Sequence, residues 1–277
     1  MAGLECLLMT ESALPDAARL RDLLAGTRWH TVEVVAETGS TNADLIARAE
    51  DADLVGTVRI AGFQSAGRGR HARVWKTPHG QLAMSAAVLV RPSDAEQVGW
   101  LSLLTGLAVR DALSAVAGVE AELKWPNDVL APSGDAGPGG KLSGILSEFR
   151  PLPGGGGIAV IGTGVNVDLD PSSVENANAA SVSGLAGRAV DGTEVAAAYL
   201  RALSDRLADW PEHIDRLVAD YRASSTTLGK RVRLILPGDV EVIGDAVDVD
   251  DQGRIVVSGP DGPVVASAGD VTHLRPV

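Results

Sequence analysis

Apolar residues along the chain change period several times, and the changes divide it into elements. Pro15–Ala25 reads as a short amphipathic helix, with proline at an early position and Gly26 just past its end. Thr31–Ala36 alternates and favours strand, and Ser40 or Thr41 caps a helix running to about Glu50, with Asp44 near its positive end. Val55–Phe63 is rich in β-branched residues and Leu82–Val90 is a buried apolar run, so both predict strands. The strongest helix is predicted over Val98–Val116, where Leu101, Leu104, Ala108 and Leu113 share a face. Strands follow at about 121–125, 128–131, 142–149 and 157–166, interrupted by Pro132–Gly140, a Gly/Pro/Asp loop expected to be mobile. Helices return at about 193–208 and 211–222, broken at Trp210-Pro211.

Beyond Gly229 the texture is different. Arg231–Leu236, Glu241–Val249, Arg254–Ser258, Val264–Ala268 and Val271–Arg275 are short strands joined by Pro-Gly, Asp-Gln-Gly and Asp-Gly turns. They predict a small all-β unit, a barrel, over 229–277, after a larger unit over 1–228. The larger unit mixes helices with a sheet without regular βαβ alternation, which predicts α+β and a mixed sheet flanked by helices.

Composition narrows the chemistry. The net charge is −12 and the isoelectric point about 4.8, against a general affinity for nucleic acid. Mean hydropathy is +0.12, unlike that of an acidic disordered chain. Cys6 is the only cysteine and the five histidines show no i, i+4 pairing, so neither a disulfide nor a zinc cluster is expected. Met1–Thr10 lacks the basic start of a signal peptide, and no apolar run approaches the roughly 18 residues that span a bilayer. A cytoplasmic protein without membrane contact is expected.

Four segments carry candidate chemistry. Gly67-Arg68-Gly69-Arg70-His71-Ala72 matches G-x-G-x-x-G/A after a strand, but Arg73-Val74-Trp75-Lys76-Thr77-Pro78 is poor helix material, so a dinucleotide fold fails on context. What remains is a flexible loop with Arg68, Arg70, Arg73 and Lys76, able to meet an anion; alone it reads more readily as a solvated basic turn. In Lys124-Trp125-Pro126-Asn127-Asp128 the proline ends a strand, leaving Asn127 and Asp128 for ligand contacts or for an Asx turn. Gly139-Gly140-Lys141-Leu142 nearly resembles a P-loop, but Asp135 and Leu142 occupy its Gly and Ser/Thr positions and the following residues alternate like a strand. Finally, Gly162 and Gly164 interrupt an apolar strand, marking close approach of a ligand or of another backbone, and Asn166 in the same run needs partners that either a ligand or the fold can supply.

In this order the segments resemble the biotin–protein ligase family. The resemblance rests on Ser40-Thr41-Asn42, Gln64 with Gly67-Arg68-Gly69-Arg70, Trp75, Lys124-Trp125-Pro126-Asn127-Asp128, Gly140-Lys141 with Gly144-Ile145, and Gly164 with Asn166. It departs from the family at Ala72-Arg73, where a second Gly-Arg is usual. It implies a class II synthetase-like catalytic unit with a small C-terminal SH3-like β-barrel, in the monofunctional class without an N-terminal DNA-binding domain. The implied reaction uses ATP and Mg²⁺ to convert biotin to biotinyl-5′-AMP, then transfers biotin to a lysine of a biotin carboxyl carrier domain of an acyl-CoA or pyruvate carboxylase.

The resemblance assigns biotin contacts to Ser40, Thr41, Asn42, Gln64, Gly67, Arg68, Gly69, Arg70, Lys141 and Gly144. It assigns ATP contacts to Arg68, Arg70, Trp75, Lys124, Asn127 and Asn166, catalysis to Lys141 and Arg70, and the metal to Asp128. No nucleic-acid partner and a monomer or weak dimer are expected. The rival readings are a lipoate ligase of related fold and a biotin-sensing DNA-binding regulator.

Overall fold

The computed structural model describes residues 14–70, 73–75, 77–134, 139–173, 178–267 and 269–274. Cys6, His71, Ala72, Lys76, Asp135, Ala268 and Arg275 lie outside the described residues, as do parts of the predicted 132–140 loop and of the last two strands.

The chain runs α1 (Ala17–Leu23), β1 (Thr31–Thr38), α2 (Thr41–Ile46), β2 (Thr57–Gln64), β3 (Gln81–Val90), α3 (Trp100–Ala117), β4 (Glu122–Lys124), β5 (Asp128–Leu130), β6 (Lys141–Pro151), β7 (Gly157–Asn166), α4 (Val182–Ala186), α5 (Gly192–Asp209), α6 (Ile214–Ser224) and β8 to β12. The first seven strands form one sheet in the order β1-β2-β3-β7-β6-β5-β4. β1 and β2 are parallel and the other neighbours antiparallel, so the sheet is mixed, as expected for α+β.

The two faces of the sheet are covered unequally. Helices α3, α5 and α6 enclose the larger core, which includes Leu104, Leu107, Ile145, Ile161, Val165 and Leu200. Helix α2 covers the other face through a smaller cluster of Leu45, Ala49, Leu54, Ala87, Ile158 and Val160. Alternation along β7 explains the division: Ala159, Ile161 and Val165 point one way, Ile158 and Val160 the other. α2 leaves part of its face open, and the cavity forms there.

β8 (Arg231–Leu236), β9 (Val240–Val249), β10 (Ile255–Gly259), β11 (Gly262–Ala266) and β12 (Asp270–His273) make a five-stranded antiparallel, SH3-like sheet in the order β11-β10-β9-β8-β12. It is fastened to the larger unit. Arg222 of α6 holds Asp248 of β9 in a two-pronged ion pair (2.7 and 2.8 Å), and the indoles of Trp100 and Trp125 donate to the carbonyls of Asp250 and Gly253.

Some expectations need correction. The helix capped by Ser40 stops at Ile46, because the next amides bond three residues back (Arg48 to Leu45, Ala49 to Ile46) and the chain tightens into a turn. α6 begins at Ile214, not at residue 211. A 3₁₀ helix over Pro92–Gln97 and the short α4 were not anticipated. α3 is 18 residues long with a mean hydropathy of 1.3, so a run of membrane-spanning length and composition does exist; it is the core helix of the larger unit.

Candidate active site

A cavity of about 430 Å³ opens on the α2 side of the sheet, lined by residues from the 64–75 loop, α2, β5, β6, β7 and β12. Its floor is a pair of glycines. Gly144 of β6 and Gly164 of β7 face each other across the strand pair, and the indole of Trp75 lies on them. A Cβ on Gly164 would stand 2.5 Å from Cζ2 of Trp75, and one on Gly144 2.8 Å from Cζ3. Only glycine at both positions lets a ring settle against the backbone. The indole Nε1 is buried with no hydrogen-bond partner among the described residues.

One end of the cavity is neutral and rich in donors and acceptors. Ser40 caps α2, accepting from the Ala43 amide, and so places Thr41 and Asn42 at the first turn. The amide and hydroxyl of Thr41 both donate to Gln64 Oε1 (2.9 and 3.1 Å), which fixes the orientation of the Gln64 amide and frees its Nε2 as a donor beside Thr77. The Ser85 hydroxyl lies 2.7 Å from Thr41 Oγ1 and 2.6 Å from Asn42 Oδ1. Asn42 is fully engaged: besides Ser85, its Nδ2 donates to the Leu146 carbonyl (3.0 Å) and to Glu148 Oε2 (2.8 Å).

The other end is charged. Lys141 opens β6, and its Nζ lies 2.5 Å from Asp128 Oδ1 and 5.3 Å from the centre of the Trp75 ring. β4 and β5 form a hairpin in which Lys124 pairs with Asp128, so the intervening Trp-Pro-Asn turn delivers both to the cavity rim. Asn127 is anchored by donation to the Ile145 carbonyl (2.8 Å), and its Oδ1 accepts from Arg70 (3.3 Å). Arg70 also donates to the Gly269 carbonyl, and burial pulls its pKa below the ordinary guanidinium value. It stays cationic, a charge partly stripped of water and aimed at an anion. Arg68 binds Glu148 (3.1 Å), and Arg73 pairs with Asp270 of β12.

Most residues singled out from the sequence thus line one cavity: Ser40, Thr41, Asn42, Gln64, Arg68, Gly69, Arg70, Trp75, Lys124, Asn127, Asp128, Lys141 and Gly144. Two lie outside its wall. Gly67 sits behind it, where an added Cβ would meet the Trp75 carbonyl. Asn166 is buried beneath it, accepting from Gln81 (2.8 Å) and donating to the Lys141 carbonyl (2.8 Å), so it steadies the lysine through the backbone. Sequence reasoning missed Ser85, Glu148 and the place of β12 at the cavity, although it predicted that strand. Of these only Ser85 left a signal, as a hydroxyl within an apolar run.

Among the described residues no group of three or more His, Cys, Asp or Glu side chains could hold a metal by itself. The Asp128 carboxylate fits a Mg²⁺ ion of the other kind, which binds one or two carboxylates and completes its shell from phosphate and water.

A model of the Biotin/lipoate A/B protein ligase family matches residues 39–166, and one of the Biotin protein ligase C terminal domain matches residues 227–274. The chain is 47% identical over 268 residues to the biotin–[acetyl-CoA-carboxylase] ligase of Mycobacterium tuberculosis, covering 94% of this chain and 96% of that one. It is 33% identical over 253 residues to the enzyme of the same name from Paracoccus denitrificans, covering 86% and 98%. Among solved structures it is similar to the biotin protein ligase from Aquifex aeolicus in complex with biotin and ATP. That match has a TM-score of 0.72 at 26% identity, covering 89% of this chain and 100% of that chain.

Proposed function

The chain belongs to the biotin/lipoate A/B protein ligase family, and on that premise we propose how its cavity activates biotin with ATP and passes it to a carrier lysine. The observation that carries the reading is one cavity with a neutral hydrogen-bonding end and a cationic end. A ureido ring needs donors and acceptors of no net charge, which Ser40, Thr41 and Gln64 offer. The carboxylate and the phosphates need cations, which Lys141, Arg70 and Lys124 offer.

In the first step a carboxylate oxygen of biotin attacks the α-phosphorus of ATP, the bond to the β-phosphate oxygen breaks, and pyrophosphate leaves. Two anions must meet, so Lys141 exchanges Asp128 for the biotin carboxylate while Arg70 exchanges Asn127 and Gly269 for phosphate oxygens. Asp128, with substrate phosphates, would hold Mg²⁺, which neutralises phosphate charge when bound. Trp75 on its glycine floor offers an apolar face to the chain of biotin or to adenine.

In the second step the neutral amine of a carrier lysine attacks the acyl carbon, the bond to the phosphate oxygen breaks, AMP leaves and the amine loses a proton. Asn42 and Asn166 support these groups from behind, and Gly67 and Gly69 give the loop its close path over them.

The acceptor is the biotin carboxyl carrier domain of acetyl-CoA carboxylase, as the names of the relatives indicate, with pyruvate carboxylase a further candidate. We place the enzyme in the cytoplasm as a monomer or weak dimer without a nucleic-acid partner; the net charge of −12 supports the last of these. We divide it into a catalytic unit at 1–228 and a β unit at 229–277. The lipoate reading is disfavoured by the neutral end, because a dithiolane ring offers no hydrogen-bonding group to the polar side chains of Ser40, Thr41 and Gln64 that line it. The test is incubation with ATP, Mg²⁺, labelled biotin and a carrier domain, with lipoate in a parallel arm. Label on the carrier lysine from biotin alone is expected; label from lipoate alone overturns the reading.

A further inference from the structure

Glu148 stands where three segments of the site meet. On β6 the cavity face carries Gly144 and Leu146, and Glu148 is the next residue in that alternation. Its Oε2 accepts from Asn42 Nδ2 at 2.8 Å and from the Arg68 guanidinium at 3.1 Å. One oxygen therefore ties the first turn of α2 and the glycine–arginine loop to the central sheet.

The two donors are unequal partners. Asn42 is buried and held on every side: Ser85 donates to its Oδ1, its Nδ2 donates to the Leu146 carbonyl, and Gly162 is the residue beneath it, where any Cβ would strike the amide. Arg68 is half exposed, and the bond to Glu148 is the one hydrogen bond of its guanidinium among the described residues. Asn42 thus aims the carboxylate, and the carboxylate aims Arg68. The other loop arginines are fastened elsewhere, Arg70 to Asn127 and Gly269, and Arg73 to Asp270. Arg70 thus holds two partners at the charged end, whereas Arg68 has Glu148.

We propose that Glu148 is a positioning residue that clamps the glycine–arginine loop over the neutral end of the cavity by holding Arg68. The proposal rests on the reading of that end as the biotin-ring site. The clamp adds no charge to the reacting atoms, so it acts on capture of biotin rather than on the chemical step.

The experiment compares Glu148→Ala and Glu148→Gln with the wild-type chain. Glutamine keeps an oxygen toward Asn42 without the charge that pairs with Arg68. Amide exchange over residues 66–70 of the empty protein is measured first, and is expected to quicken in both variants. KM for biotin and for ATP then come from pyrophosphate release. Glu148→Ala is expected to raise the biotin KM about fivefold, with glutamine between, while kcat and the ATP KM stay within about twofold. In an Arg68→Ala background Glu148→Ala should add less than about twofold, because the residue it acts through is gone. Unchanged loop exchange, multiplying effects of the two alanines, or a fall in kcat alone would overturn the clamp. If the wild-type chain forms no biotinyl adenylate, the biotin reading fails instead, and loop exchange still decides whether Glu148 holds the loop.

Discussion

Lys141 Nζ and Asp128 Oδ1 face each other at 2.5 Å across the charged end of the cavity, each about three-quarters buried. The pair keeps a cation and a carboxylate satisfied until a substrate offers better partners, so removing either should leave a different signature.

Lys141→Ala should lower pyrophosphate release more than tenfold with the fold intact. A hydrogen bond to a charged group is worth about 1.5–3 kcal/mol, and the variant also leaves Asp128 unpaired. A loss below tenfold would remove Lys141 from the biotin carboxylate.

Asp128→Asn acts on the metal. The Mg²⁺ concentration for half-maximal adenylation should rise, while biotin affinity without ATP, measured by calorimetry, should barely change. An unaltered Mg²⁺ dependence would return Asp128 to a structural role as the lysine's partner.

The long helices and strands were legible because each buries a face long enough to impose its period: α3 and α5, and β3 and β7. The Pro92–Gln97 3₁₀ helix and α4 were not, since one or two helical turns carry no period and rest on contacts such as Arg91 with Asp94. The site shows the same division. Residue types such as Lys141, Asp128 and the paired arginines announce charge chemistry wherever they stand. Amides do not: a buried asparagine needs partners whether it serves a ligand or the fold, and Asn42 and Asn166 find theirs within the protein. Glu148 and Asp270 were invisible because their partners lie 80 and 197 residues away in sequence.

Gly164→Ala tests the glycine floor. The new methyl would stand 2.5–2.8 Å from three atoms of the Trp75 indole, so the ring must lift from the sheet. Overpacking of this kind costs about 1–3 kcal/mol. A lower melting temperature and a raised KM for ATP or biotin are expected; wild-type values of both would show that the ring does not rest there in solution.

His273 gives a pH dependence of stability. Burial, with the charges of Lys124 and Lys230 adding to it, pushes its imidazole down to about 4. Unfolded histidine titrates near 6.5, so between about pH 4 and 6.5 the unfolded chain binds a proton that the folded one refuses. The contribution is therefore complete above about pH 6.5 and is lost as the pH falls toward 4. The ring is partly exposed, which limits the loss to about 1–2 kcal/mol. Melting curves of His273→Asn should show a flatter fall over that range than wild type, and parallel curves would dismiss the effect.

The last prediction concerns retention of the intermediate. The loop is held by short-range bonds, Gly69 N–H to the Arg73 carbonyl and Trp75 N–H to the Gly67 carbonyl, and by its arginines. Ordering a glycine-rich segment costs roughly 1–2 kcal/mol of backbone entropy per residue, so the anchors govern how long it stays shut. In the reading proposed above, Arg70 is the anchor that meets the adenylate. With ligand bound, its half-buried charge can grip the mixed anhydride directly, and water and stray amines are kept out. Arg70→Gly removes the grip while Lys141 still binds the biotin carboxylate. The variant should therefore form some adenylate and lose it to solution, where the anhydride acylates any lysine it meets. Incubating the variant with ATP, biotin and a bystander protein, then probing the bystander for biotin, measures the leak. Bystander labelling above that of wild type at equal adenylate production is expected, and no labelling would mean that Arg70 does not retain the intermediate.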